Sequence, residues 1–163
     1  RIERSLSDNP LQQPVNLEDA VDTAVGNLEE TETAADIAVD IPEETWIRAI
    51  DDVTAAITEA LENSVQHTTQ SSIQIRIVAN INSTGEWVTL RIGDSGDMIP
   101  PEERRVLIDG ENPLEHGSGL GLWLINWVVG ASGGELGFAE SDLGGSEVQM
   151  QFQRCNQPPL PNE

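Results

Sequence analysis

The sequence has no lysine: all eight of its basic residues are arginine, set against 29 Asp and Glu. Any phosphate contact must therefore come from Arg, His, backbone N–H groups or a bound metal. The lysine-dependent loop Gly-x-x-x-x-Gly-Lys is excluded outright. A single cysteine, Cys155, leaves no internal disulfide framework. No stretch approaches the roughly 18–20 continuous apolar residues of a membrane span, and no signal-peptide pattern is present. The expectation is a cytoplasmic domain with no direct membrane contact, any membrane segment of a larger receptor lying outside these residues. The formal charge of −21 opposes phosphate backbones and anionic lipid, which argues against nucleic acid as a partner. Because the acid is dispersed along the chain, it reads as adaptation to high salt, as in a haloarchaeal cytoplasm, where self-repulsion is screened. A simple solubility device is the other reading.

With 163 residues, 37% of them apolar, the chain suits one compact domain. Residues 1–14 are polar with two prolines and read as a linker, or the end of a preceding dimerisation helix. Residues 15–154 carry the domain, and 155–163, with three prolines, read as a disordered tail. Asn16 followed by Asp19 signals a helix start, and Leu17, Val21, Ala24, Val25 and Leu28 continue it at helical spacing to about residue 29. A short strand is expected at 38–41, ended by Pro42. From Glu43 to His67 the 3.6-residue period of Trp46, Ile50, Val53, Ile57, Leu61 and Val65 predicts one long helix. Residues 73–78 and 87–92 alternate in period two around a turn at 82–85, which predicts a hairpin. Residues 93–118 form a loop-rich stretch with one helical turn at 102–108. A helix over 120–129 and strands at 134–138 and 146–152 follow. The order implies an α+β fold: a two-layer α/β sandwich with helices on one face of a mixed, mostly antiparallel sheet.

Three elements carry the candidate chemistry. Glu59 and Asn63 are four residues apart, about 40° on the helical wheel, on the side opposite the apolar stripe, so both side chains converge on one point. An ordinary solvated helix face has the same spacing. Asp94-Ser-Gly96 follows a strand, which presents Asp94 at the strand end and lets the backbone turn close to a ligand at Gly96; a plain turn reads similarly. Gly117-Ser118-Gly119-Leu120-Gly121-Leu122 places three alternate glycines at a helix start, where free N–H groups and the helix dipole favour an anion. A flexible hinge is the alternative. The glycine run lacks the βαβ setting of a dinucleotide fold.

Taken in order, these elements resemble the GHKL ATPase superfamily with its Bergerat fold, and within it the catalytic and ATP-binding domain of sensor histidine kinases. Residues 57–67 are similar to its N box, 94–100 to its G1 box and 117–122 to its G2 box, and Gly144-Gly145-Ser146 to its small-residue box near the adenine. The resemblance covers roughly residues 15–153. It implies ATP and Mg²⁺ as ligands, with Asn63 holding the metal, Asp94 accepting from the adenine amino group, and Gly117, Gly119 and Gly121 around the phosphates. Gly96 and Ile99 of the second box, Ser118, Leu120 and Leu122 of the third, and Ser146 beside the base belong to the same implied site. Glu59 takes the place of the catalytic carboxylate. His67, and Arg104 and Arg105 in the lid, are in reach of phosphate oxygens; a helix-terminal dipole contact and pairing with Glu102 or Glu103 are the plainer readings. A Mg²⁺-centred site suits a chain without Lys, because phosphoryl transfer depends on positioning and charge neutralisation.

The chain departs from the family at Asp97, where a second glycine is usual, and in residues 101–116, which contain no Phe. Neither of its histidines, His67 and His116, lies in a phosphoacceptor motif. The expected function is therefore transfer of the ATP γ-phosphate to a histidine on an upstream dimerisation and phosphoacceptor domain, serving a response regulator receiver domain. An anti-sigma-type serine kinase and a nucleotide-binding or docking domain without turnover are the alternatives.

Overall fold

Asn16 fulfils the capping role that its position implies. In the computed structural model, which describes residues 11–31, 35–66, 73–96 and 120–157, its Oδ1 accepts the Asp19 N–H at 3.2 Å. That contact starts helix α1, Leu17–Thr31, as a side-chain cap satisfies an otherwise orphaned donor. The other described elements are β1 (Gln13–Asn16), β2 (Ala35–Asp40), β3 (Trp46–Ala49), α2 (Val53–Gln66), β4 (Ile73–Ile81), β5 (Trp87–Asp94), α3 (Leu120–Ala131), β6 (Glu135–Glu140) and β7 (Ser146–Cys155).

The strands form one seven-stranded sheet in the order β1-β3-β7-β5-β4-β2, with β6 also paired to β7. Only β2–β4 is parallel; all the other pairings are antiparallel. Alternation along the central strands buries one face. Ile73, Ile75, Ile77, Val88, Leu90, Ile92, Val148, Met150 and Phe152 all enter the core, whereas Arg76, Arg91 and Gln149 point away from it. The three helices cover the buried face, with α2 packed between α1 and α3. This is the expected α+β sandwich. No helix among the described residues is long and apolar enough to cross a membrane.

The predicted hairpin is present. Asn82 Oδ1 accepts the N–H groups of Glu86 and Trp87, and Gly85 takes φ +79°. The long helix predicted from Glu43, in contrast, begins ten residues later. Glu44 has φ 61°, which no right-handed helix contains. Trp46–Ala49 is instead a strand, antiparallel to β1 and to the last two residues of β7. The spacing of Trp46 and Ile50 misleads because the strand buries Ile47 and Ala49 on the opposite parity to Trp46, and Ile50 enters the core only after the strand has ended. Asp51 and Asp52 then make the turn into α2.

The linker and tail boundaries also shift. β1 takes Gln13 and Pro14 from the expected linker, and Cys155 closes β7 instead of opening the tail. Proline fits in β1 because that strand lies at the sheet edge, where a missing N–H costs no ladder bond. The short strand expected at 38–41 spans Ala35–Asp40. Buried Ser132, just past α3, accepts the Ile50 N–H at 3.0 Å and ties the end of β3 to that helix.

Candidate functional site

Asp94 is the last residue of β5 and shares the parity of Val88, Leu90 and Ile92, so its carboxylate turns to the helix side of the sheet; the residue is only 5% exposed. A buried carboxylate is costly unless donors meet it. Two backbone donors do: the N–H groups of Gly96, at 3.0 Å, and Ser146, at 3.2 Å, both bind its Oδ1. Its main-chain oxygen accepts the Gly145 N–H at 3.0 Å. The strand end is pinned from the other side as well, since Ser95 and Gln74 exchange hydrogen bonds at 3.0 and 2.9 Å.

Gly145 makes this clamp possible. A Cβ there would lie 2.2 Å from Asp94 Oδ1 and 2.6 Å from the Gly96 carbonyl oxygen, closer than any side chain tolerates. The turn that carries it is closed by Gly144 N–H to the Ser141 carbonyl and Ser141 N–H to the Gly145 carbonyl. Asp94, Gly96 and Ser146, expected together from separate sequence motifs, are joined in one hydrogen-bonded unit. Gly145 had no place among the candidate ligand residues. Its signal was the double glycine before β7, already read as part of the small-residue box near the adenine, of which only Ser146 was assigned to the site.

Asn63 and Glu59 both lie on α2, one turn apart as expected, and the side they share is not the ordinary solvated face of the alternative reading. Asn63 is 8% exposed, as buried as neighbouring Ser64, and Ala56 and Ala60 are buried as well. A helix flanked by two others hides a wider arc than its main apolar stripe. Glu59 is half-buried, and its carboxyl is pushed above the ordinary value of 4.5, first by burial and then by the charge of Glu62. Leu120 opens α3, followed by Gly121, and Leu122 is fully buried in the core. His67, Ile99, Arg104, Arg105, Gly117, Ser118 and Gly119 lie outside the described residues, as do Asp97 and the helical turn expected at 102–108.

Chemically, the described part offers a buried, rigidly held carboxylate acceptor at a strand end, and a central helix bearing a buried amide and a carboxyl of raised proton affinity. Residues 48–155 match the family of histidine kinase-, DNA gyrase B- and HSP90-like ATPases. The chain belongs to this family. The ATPase domain is 29% identical over 101 residues to the sensor-type histidine kinase PrrB of Mycobacterium leprae, and 30% identical over 101 residues to PrrB of Mycobacterium tuberculosis. Each alignment covers 60% of this chain and 22% of the relative, so the chain spans about a fifth of those proteins.

Among solved structures, the mycobacterial sensor histidine kinase MprB superposes with a TM-score of 0.73 at 19% identity, covering 90% of this chain and all of that one. The ATP-binding domain of PrrB from Mycobacterium tuberculosis gives 0.69 at 22%, covering 89% and 98%. At these identities the structural likeness establishes the shared fold.

Proposed function

We propose that this domain binds ATP and transfers its γ-phosphate to a histidine on a separate upstream dimerisation and phosphoacceptor domain, from which a response regulator receiver domain takes the phosphoryl group. The observation that carries the reading is the Asp94 clamp. Two backbone donors fix the carboxylate, and a glycine keeps the space beside it clear of any Cβ. A fixed, buried acceptor is what recognition of an exocyclic amino group requires, since an unmatched ligand would leave it unpaired. The sensor-kinase relatives and the structural likeness to an ATP-binding domain support the same assignment.

The roles divide along the chain. Asp94 orients the adenine, with Gly96, Ile99 and Ser146 around it. Gly117, Ser118, Gly119, Leu120, Gly121 and Leu122 form the phosphate-binding helix start, with His67, Arg104 and Arg105 as further phosphate contacts. Asn63 would hold Mg²⁺, which when bound would supply the positive charge that lysine provides in other phosphate sites. No group of three or more His, Cys, Asp and Glu is arranged for a metal among the described residues, which suits an ion held jointly by Asn63 and the nucleotide. Glu59, whose burial raises its affinity for a proton, is the proton acceptor at the transfer step; a carboxylate of raised pKa is the better base near neutrality. The domain works in the cytoplasm, and its −21 charge suits it to high salt.

Titration calorimetry with a non-hydrolysable ATP analogue and Mg²⁺ tests binding. Asn63→Ala and Asp94→Asn are each expected to weaken it at least about tenfold, the loss of one charge-assisted contact. Unchanged binding in both variants overturns the site. Transfer of labelled γ-phosphate to a cognate histidine-bearing domain tests turnover, and its absence in the presence of tight binding would leave a nucleotide-binding docking domain.

A further inference from the structure

The outer face of the sheet carries a concave feature directly behind Asp94. Neighbouring residues of a strand point to opposite faces, so Gly93 faces outward where Asp94 faces the helices. Around Gly93 lies a cavity of about 170 Å³, walled by β4, β5, the start of β7 and the turn after β6. That is room for about half a dozen water-sized atoms, well below the roughly 300–1,000 Å³ of sites for larger ligands.

Arg48, Arg76, Arg91 and Arg154 are the four arginines among the described residues, and two of them, Arg76 and Arg91, line this one cavity. They are not equivalent. Arg91 is committed, with Nη1 donating to Glu147 at 3.3 Å and Nε to Asn80 Oδ1 at 3.1 Å. Arg76, on β4, has no ion-pair or hydrogen-bond partner among the described residues, and neither has Asp142, on the turn after β6. One uncommitted cation and one uncommitted anion thus line the same small space without pairing with each other. Ser141 is buried beside them. Its Oγ accepts the Leu143 N–H at 3.0 Å, while its own O–H has no acceptor among the described residues. Val78 and Leu143 add apolar wall. A Cβ on Gly93 would come within 2.9 Å of Ser141 Oγ, so the glycine keeps the floor open.

We propose that this cavity binds a small aliphatic α-amino acid as its zwitterion, with the carboxylate on Arg76, the ammonium on Asp142 and the short side chain against Val78 and Leu143. A simple anion would face Asp142 and Glu147, and a simple cation would face both arginines. Only a ligand carrying both charges satisfies both uncommitted groups, and a planar guanidinium fork matches a carboxylate better than it matches a sphere of charge. The inference stands apart from the nucleotide reading, because none of these residues belongs to that site.

The test is titration calorimetry and amide NMR on the nucleotide-free protein with L-alanine, using N-acetyl-L-alanine and L-alaninamide as controls that each keep one charge. Saturable L-alanine binding is expected with a Kd of about 1 mM, with shifts centred on Gly93 and residues 141–143. R76Q and D142N should each weaken it about tenfold, one charged contact apiece. The decisive signature is charge-specific: D142N binds N-acetyl-L-alanine better than the unaltered protein does, and R76Q does the same for L-alaninamide. Absence of saturation, equal binding of all three compounds, or indifference to both substitutions overturns the proposal.

Discussion

A methyl group added at Gly145 would sit 2.2 Å from Asp94 Oδ1, 2.6 Å from the Gly96 carbonyl oxygen and 2.8 Å from the Asp94 carbonyl oxygen. Two of the three are backbone atoms, so no rotamer change relieves the overlap. Restoring an ordinary contact of roughly 3.5 Å requires Asp94 Oδ1 to retreat by roughly 1.3 Å. Its bonds to Gly96 and Ser146, at 3.0 and 3.2 Å, do not survive a displacement of that size. Overpacking costs about 1–3 kcal/mol, and a buried carboxylate losing a donor costs about as much again. Gly145→Ala is therefore expected to lower stability by about 2–6 kcal/mol and nucleotide affinity by at least about tenfold. Gly144→Ala, one residue earlier, is the control. Gly144 has φ +106° with nothing within 4 Å of an added Cβ, so its penalty is conformational, about 1–2 kcal/mol, and Asp94 stays in place. Urea denaturation and nucleotide titration below the unfolding transition separate the two. If Gly145→Ala binds nucleotide like the unaltered protein, or Gly144→Ala loses affinity equally, the clamp does not position Asp94 for a ligand.

Three further outcomes follow from other contacts. Because the carboxyl of Glu59 lies above 4.5 in the folded protein, the folded state holds this proton more tightly than the unfolded state. That contribution is complete below the unfolded value and is lost as pH rises through the folded one. Glu59→Gln should accordingly melt at a higher temperature than the parent at about pH 7, with the difference vanishing near about pH 4; a lower melting point at neutral pH would contradict this. Ser132→Ala removes the acceptor of the buried Ile50 N–H and should cost about 1–3 kcal/mol in urea denaturation with an unchanged m-value. Burial pushes the Cys155 thiol up, with Arg48 opposing only in part, so alkylation at neutral pH should be slower in the folded protein than in urea.

Local chemistry determined a good deal of this molecule. The Asn16 cap, the hairpin around Asn82 and the strand-end position of Asp94 are each set within a few residues, where capping, turn geometry and period-two alternation act. The two-layer architecture also followed from the order of those elements. Three things were decided only by tertiary packing. Trp46–Ala49 became a strand because β1 and β7 offered it backbone partners more than a hundred residues apart in the chain, and no local period distinguishes that from a helix over four residues. Asn63 became buried because α2 lies between two other helices, whereas a helical wheel sees one partner face. The Asp94 site took its form from Gly145 and Ser146, 51 and 52 positions further along, whose N–H groups arrive through the pairing of β5 with β7. The residue types at a site are written in the sequence, but the donors that hold a buried carboxylate belong to whichever strand the sheet places beside it.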